Sequence, residues 1–234
     1  MGCCGSKEKH RKQKSQIEEE IRNLKTELEE KIMDLRTEYD ELRNQLEECR
    51  NQLDWTRVRS NAANIMLAVD SAHPNLSIDA GDQKTFTYQA QPLSVSPNPK
   101  RFDGIVSVLG SQGFSSGQHY WEVDVSSSTD WDLGVVRESI QRKGDISLSP
   151  KEGFWLLGFD GKDYWARTDP WTRVTVKKKP SKIGVYLSFP EKELTFFNGT
   201  DMSVLFVFKH CSFSEDIYPF FKNTHIGTTI RIVP

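Results

Sequence analysis

The sequence predicts a mainly β chain: a two-sheet antiparallel β-sandwich preceded by a long α-helical coiled coil. Three observations carry that reading. From Ile17 to Leu53 there is neither proline nor glycine, and apolar residues recur every three or four positions. From Ile65 onward that period gives way to short alternating segments, of which Tyr120-Trp121-Glu122-Val123-Asp124-Val125 is the clearest, divided by turn-forming clusters. About 170 residues of such strands, with no helical run between them, are enough for a sandwich with its own core.

Residues 1–16 read as a lipid anchor and basic arm. Met1-Gly2-Cys3-Cys4-Gly5-Ser6 fits the N-myristoylation pattern, with Gly2 as the acceptor amine once Met1 is removed. One myristoyl chain holds a bilayer only marginally, so a second signal is needed. Cys3 and Cys4 offer thiols for palmitate. Lys7, Lys9, Arg11, Lys12 and Lys14 add attraction to an anionic leaflet, about 1 kcal/mol each near the surface. The expectation is a chain held at the cytoplasmic face of a membrane by acyl chains and the basic arm, and otherwise cytoplasmic.

Residues 17–54 read as the coiled coil. The seam is Ile17, Ile21, Leu24, Leu28, Ile32, Leu35, Tyr39, Leu42, Leu46, Cys49 and Leu53, a heptad repeat with one extra four-residue step between Leu28 and Ile32. The outer face is rich in glutamate and arginine, so the narrow apolar stripe needs a partner helix. Self-association is expected, with parallel strands preferred because both anchors must reach one bilayer. Residues 55–64 read as a helical connector and residues 65–234 as the sandwich.

Charge limits the partners. Charged residues are 27% of the chain yet sum to only −2, the basic arm is short, and Lys177-Lys178-Lys179 reads as a solvated turn, so nucleic acid is not expected. Four cysteines without Cys-x-x-Cys or Cys/His spacing give neither a disulfide framework nor a zinc site. No apolar run reaches the length of a transmembrane helix or a secretory signal. Nucleophile elbow, Walker loop, Rossmann glycines and His-Glu-x-x-His are all missing, so no enzyme, metal or cofactor is expected.

The order of motifs in the strand region is specific. Leu67-Ala68-Val69-Asp70, Gly113-Phe114-Ser115-Ser116-Gly117-Gln118-His119-Tyr120-Trp121-Glu122-Val123, Trp131-Asp132-Leu133-Gly134-Val135, Gly153-Phe154-Trp155 and Leu194-Thr195-Phe196-Phe197-Asn198 follow one another. Together they resemble the PRY-SPRY domain of tripartite-motif ubiquitin ligases, butyrophilins and pyrin. The resemblance implies a bent β-sandwich that recognises proteins and has no catalysis of its own. Two departures stand out. Leu187-Ser188-Phe189-Pro190-Glu191 replaces the family's Leu-Asp-Tyr-Glu, and no RING or B-box cysteine pattern precedes the coil, so ligase activity does not carry over.

Trp121 and Trp155, with Phe196, Phe206 and Phe220, read as core. The expected partner-binding residues stand beside turn chemistry: Lys100, Arg101, Asp132, Asp160, Tyr164, Trp165, Trp171 and His225. In the antibody-binding tripartite-motif member, an aspartate of the W-D-L-G-V motif and two tryptophans after F-W make the contacts. Here Asp132 stands, but Gly158 and Asp160 occupy the tryptophan positions, so antibody binding is not implied. The basic pocket of the phosphoantigen-sensing butyrophilin has Asp132 and Trp165 at two of its basic positions, so that ligand is not implied either.

The function expected from sequence is thus a membrane-tethered, coiled-coil-oligomerised adaptor. Its PRY-SPRY groove binds a cytosolic protein, with a family-suggested role in innate immunity or in regulating ubiquitin ligases. The alternative is a membrane scaffold acting through coiled-coil pairing with another protein.

Overall fold

The structure, a computed structural model, describes residues 4–233, and within the helix the side chains of residues 11–46, 49 and 55 onward. Gly2 and Cys3, and the side chain of Cys4, lie outside the described residues. The chain forms two compact units, Met1–Trp55 and Thr56–Pro234.

Helix α1 is Cys4–Arg59. The long run free of proline and glycine allows it, since Glu, Lys, Arg and Leu are all good helix formers. Its seam residues are exposed along the described length, from Ile17 at 50% to Leu46 at 72%. The helix ends before the expected connector does. Ser60 Oγ and Asn61 Nδ2 both donate to the Arg57 carbonyl, at 2.7 and 2.8 Å, closing the last turn, and Ala62 then makes a parallel bridge with Tyr120.

The second unit holds thirteen described strands. They are β1 (Leu76–Ile78), β2 (Thr85–Tyr88), β3 (Ser107–Leu109), β4 (Gln118–Asp124), β5 (Trp131–Arg137), β6 (Phe154–Phe159) and β7 (Tyr164–Ala166). Then follow β8 (Thr172–Val174), β9 (Lys182–Ser188), β10 (Glu193–Asn198), β11 (Val204–Phe208), β12 (Ile217–Asn223) and β13 (Thr229–Val233). One sheet has the order β1-β2-β13-β4-β9-β10-β11, the other β3-β12-β5-β6-β7-β8, and every strand pair is antiparallel. A single 3-10 turn, Pro150–Glu152, is the one helical interruption described among them.

The core lies between the sheets. Phe86, Leu133, Val135, Val185, Phe196 and Phe221 are wholly buried there, with Trp121 and Trp155 nearly so. Phe206 is half-buried against the same cluster. The six-stranded sheet is also covered on part of its outer face. Phe102 and Ile140 from loops pack there on Leu109, Val136, Phe154, Leu156 and Phe220. Double coverage explains why β6 reads as a continuous apolar run and why β5 is buried on both faces from Trp131 to Val136.

The last turn of α1 is tied to the seven-stranded sheet. Arg59 Nη2 and Tyr120 Oη both donate to Glu122 Oε1, at 2.8 and 2.9 Å, and Lys182 Nζ lies 3.9 Å from the other carboxylate oxygen. Glu122 is buried, and burial beside this carboxylate drives the Tyr120 hydroxyl far above its ordinary pKa.

Gly134 in β5 sits at φ +152, and a Cβ there would lie 2.2 Å from the Trp155 carbonyl. Because that obstacle is backbone of the paired strand, it cannot swing aside. Gly134→Ala should destabilise the second unit by about 3 kcal/mol or more, read as a fall in the urea midpoint at unchanged slope.

Candidate functional site

The strand registers build the site. Lys222 of β12 stands opposite Asp132 of β5, Asp132 opposite Gly158 of β6, Gly158 opposite Trp165 of β7, and Trp165 opposite Arg173 of β8. Residues directly opposite in antiparallel strands share a face, so this row crosses five strands on the outer side of the six-stranded sheet. The neighbouring row, Asn223, Trp131, Phe159, Tyr164 and Val174, points inward to the core.

Asp132 is the centre of the outer row. It is fully buried, and its two carboxylate oxygens take different cations: Arg167 Nε at 2.5 Å and Lys222 Nζ at 2.7 Å. Such a group survives burial only because both oxygens are paired. Gly158 makes the room. A Cβ on it would fall 2.1 Å from Asp132 Oδ1 and 2.6 Å from Arg167 Nη2.

Over this triad lies Trp171. The Arg167 guanidinium carbon is 3.9 Å from the centre of the Trp171 ring, a close cation–π stack, and Trp171 remains 53% exposed. Its indole is therefore stacked on one side on a guanidinium bonded to buried Asp132 and is open to solvent on the other. The adjoining turn is equally fixed. Asp160 accepts from the backbone N–H groups of Asp163 and Lys162 at 2.8 and 3.0 Å, and from Trp165 Nε1 at 2.9 Å. These bonds, that from Asp163 foremost, hold the Asp160 carboxyl below the usual range. Their contribution is complete above the ordinary carboxylate pKa and disappears as pH falls through the lowered one. Arg173 pairs with Asp163 on the same turn.

The structure divides the residues expected from sequence. Asp132, Asp160, Trp165 and Trp171 come together on this outer patch. Asp132 lies beneath it, out of reach of a partner. Tyr164 turns inward, stacks on Phe159 at a centroid distance of 4.5 Å, and floors a cavity of about 430 Å³ rimmed by Lys162, Arg173 and Lys179. Arg101 is a clamp, donating to the carbonyls of Val69 and Ala72, and Lys100 lies 4.0 Å from Asp70. Both hold the 69–72 turn, away from the triad. His225 joins two loops, its Nδ1 lying 3.0 Å from Thr129 Oγ1.

Arg167 and Lys222 were not singled out by sequence. The i, i+2 spacing of Trp165 and Arg167 indicates a shared face, but Lys222 reaches Asp132 only through the β5–β12 register. Among the described residues, no three His, Cys, Asp or Glu side chains are placed to hold a metal.

Two family models match the chain: PRY, the SPRY-associated domain, over residues 65–114, and the SPRY domain over residues 118–231. The chain belongs to the PRY-SPRY family. Its relatives are of butyrophilin and tripartite-motif type. Nuclear factor 7, brain, of Xenopus laevis is 41% identical over 157 residues, 67% of this chain and 26% of that protein. Butyrophilin subfamily 1 member A1 of Bos taurus is 36% identical over 175 residues, 75% of this chain and 33% of that protein. This chain thus spans about a quarter to a third of the length of these relatives. The solved PSpry domain of TRIM65 shares the fold, with a TM-score of 0.67 at 21% identity over 76% of this chain and 94% of that one. PRY-SPRY domains of this type bind proteins, typically without catalysis.

Breaking the triad should be costly. Asp132→Ala leaves the Arg167 and Lys222 cations without their shared carboxylate and should cost about 3–5 kcal/mol, whereas Gly158→Ala, which forces the pair apart sterically, should cost about 2–4 kcal/mol. Thermal unfolding of the two variants beside the double variant checks this. Full additivity would mean that the two residues do not act through one contact.

Proposed function

We propose that this chain is a membrane-tethered, self-associating adaptor whose PRY-SPRY head binds a cytosolic protein through the patch around Trp171. The observation that carries the reading is the Trp171 indole itself, exposed yet stacked on a guanidinium fixed by buried Asp132. Exposed tryptophan and arginine are the usual anchors of protein interfaces, and a ring already ordered in the free protein loses little entropy on binding. On the same outer face Trp165 is held by Asp160, and Arg173, opposite Trp165, is paired with Asp163, charges that set orientation. The partner chemistry this fits is a surface segment that covers an indole and accepts hydrogen bonds from Arg173.

Tethering rests on Gly2, Cys3, Cys4 and the basic arm, which supply two or three membrane signals in one short segment. The exposed seam of α1 supports self-association, which multiplies heads on one surface and gives weak contacts avidity. The setting we infer, innate immunity or the regulation of ubiquitin ligases, is supported by family resemblance alone.

Two variants of the full chain, expressed in cells, separate the parts. Gly2→Ala should move most of the protein from the membrane pellet to the soluble fraction. Trp171→Ala should leave the pellet unchanged and the melting temperature within a few degrees, while reducing recovery of partners held by the wild-type chain about tenfold or more. Identical partner recovery would overturn the patch, and unchanged sedimentation of Gly2→Ala would overturn the anchor.

A further inference from the structure

The seam of α1 carries more than a general wish for a partner. We propose that it joins two copies of this chain in a parallel, in-register coiled coil with Cys49 facing Cys49 across the seam. This rests on the self-association proposed above and adds its copy number, direction and register.

The occupant is argued from the stutter. Every described seam residue from Ile17 to Leu46 is between 41 and 72% exposed, so the whole stripe awaits cover. In a parallel pair at equal register, the four-residue step from Leu28 to Ile32 coincides in both helices, and each apolar residue meets its own copy. An antiparallel pair cannot manage this. Full overlap, with Ile21 opposite Cys49, sets Ile32 and Tyr39 against Glu38 and Lys31. Centring the pair on Leu28 matches Ile17 through Tyr39 but faces Leu42 with Lys14. The register between these puts Ile32 against Lys31 and Cys49 against Lys14.

The flanks agree. With Ile21, Leu28, Ile32, Tyr39 and Leu46 at a, and Leu24, Leu35, Leu42 and Cys49 at d, the parallel arrangement brings g to the next e of the partner. Glu20 then meets Lys25 of the second copy, and Glu38 meets Arg43, each pair twice by symmetry. Lys31 opposite Arg36 is the one like-charge contact, and it falls at the stutter, where the helices diverge from regular geometry. Ile21 and Ile32 at a, each followed by leucine at d in Leu24 and Leu35, favour two strands. Cys49, exposed on the single chain, becomes a d-layer residue whose mate is an identical thiol. In the full-overlap antiparallel pair the two thiols would be about 42 Å apart, being 28 residues out of step.

The test uses the purified, unacylated full chain with Cys3→Ser and Cys4→Ser. Cys211 is buried and its thiol pushed up to about 12, so Cys49 is the reactive sulfur among the described residues. Sedimentation equilibrium should give twice the chain mass, falling to one chain in Leu35→Lys. Diamide should link most of the protein through Cys49, and Cys49→Ser should abolish that link. A size-tagged chain keeping Cys49 is then mixed with an untagged Cys49→Ser chain carrying Ile21→Cys. Each should link only to its own kind. A monomer mass would overturn self-association itself. A dimer without the Cys49 link, or with links between the tagged and untagged chains, would overturn the parallel register while leaving self-association standing. A mass above two chains would overturn the copy number.

Discussion

A buried carboxylate with two cations organises the outer face of the six-stranded sheet. Asp132 has no exposed surface, yet both of its oxygens are occupied, one by Arg167 and one by Lys222. Three strands are thereby cross-linked, since Lys222 belongs to β12, Asp132 to β5, and Arg167 follows β7. The geometry admits no side chain at Gly158, and it fixes a guanidinium under Trp171. Charge buried in this way adds little net stability compared with an apolar replacement, but it is costly to break. What it gives the fold is one arrangement of an exposed aromatic ring.

The same device recurs on the other sheet with a different outcome. Glu122 is buried and serves Tyr120 and Arg59 directly, with Lys182 nearby. There the cation comes from the last turn of α1, so the pairing ties the end of the helix to the sheet instead of presenting a side chain to solvent. One buried carboxylate thus orders an exposed ring, and the other orders a contact within the second unit.

Much of this was legible in sequence because it depends on period. The change from three-four spacing to alternation marks the sandwich, and Trp121, Trp155, Phe196 and Phe220 lie buried where apolar strand residues should. The site was only half legible. Trp165, Trp171, Asp160 and Asp132 stand next to turn chemistry and meet on one patch. Tyr164 does not, because a strand alternates faces and its neighbour Trp165 takes the outer one. Lys100 and Arg101 look like binding residues by exposure and charge, but the carbonyls of the 69–72 turn claim Arg101. Lys222 was invisible, since nothing local to Phe220-Phe221-Lys222-Asn223 says which strand it will face. Register between distant strands is what a single sequence leaves open.

Asp132 ties Arg167 in place beneath Trp171. Hydrogen exchange of the Arg167 Nε–H, followed by NMR in the wild-type chain and in Asp132→Asn, measures it directly. Exchange should be slow in the wild type, approaching that of the buried β5 amides, and at least a hundredfold faster in Asp132→Asn with the sandwich still folded. Exchange in the wild type as fast as that of a free arginine side chain would contradict it.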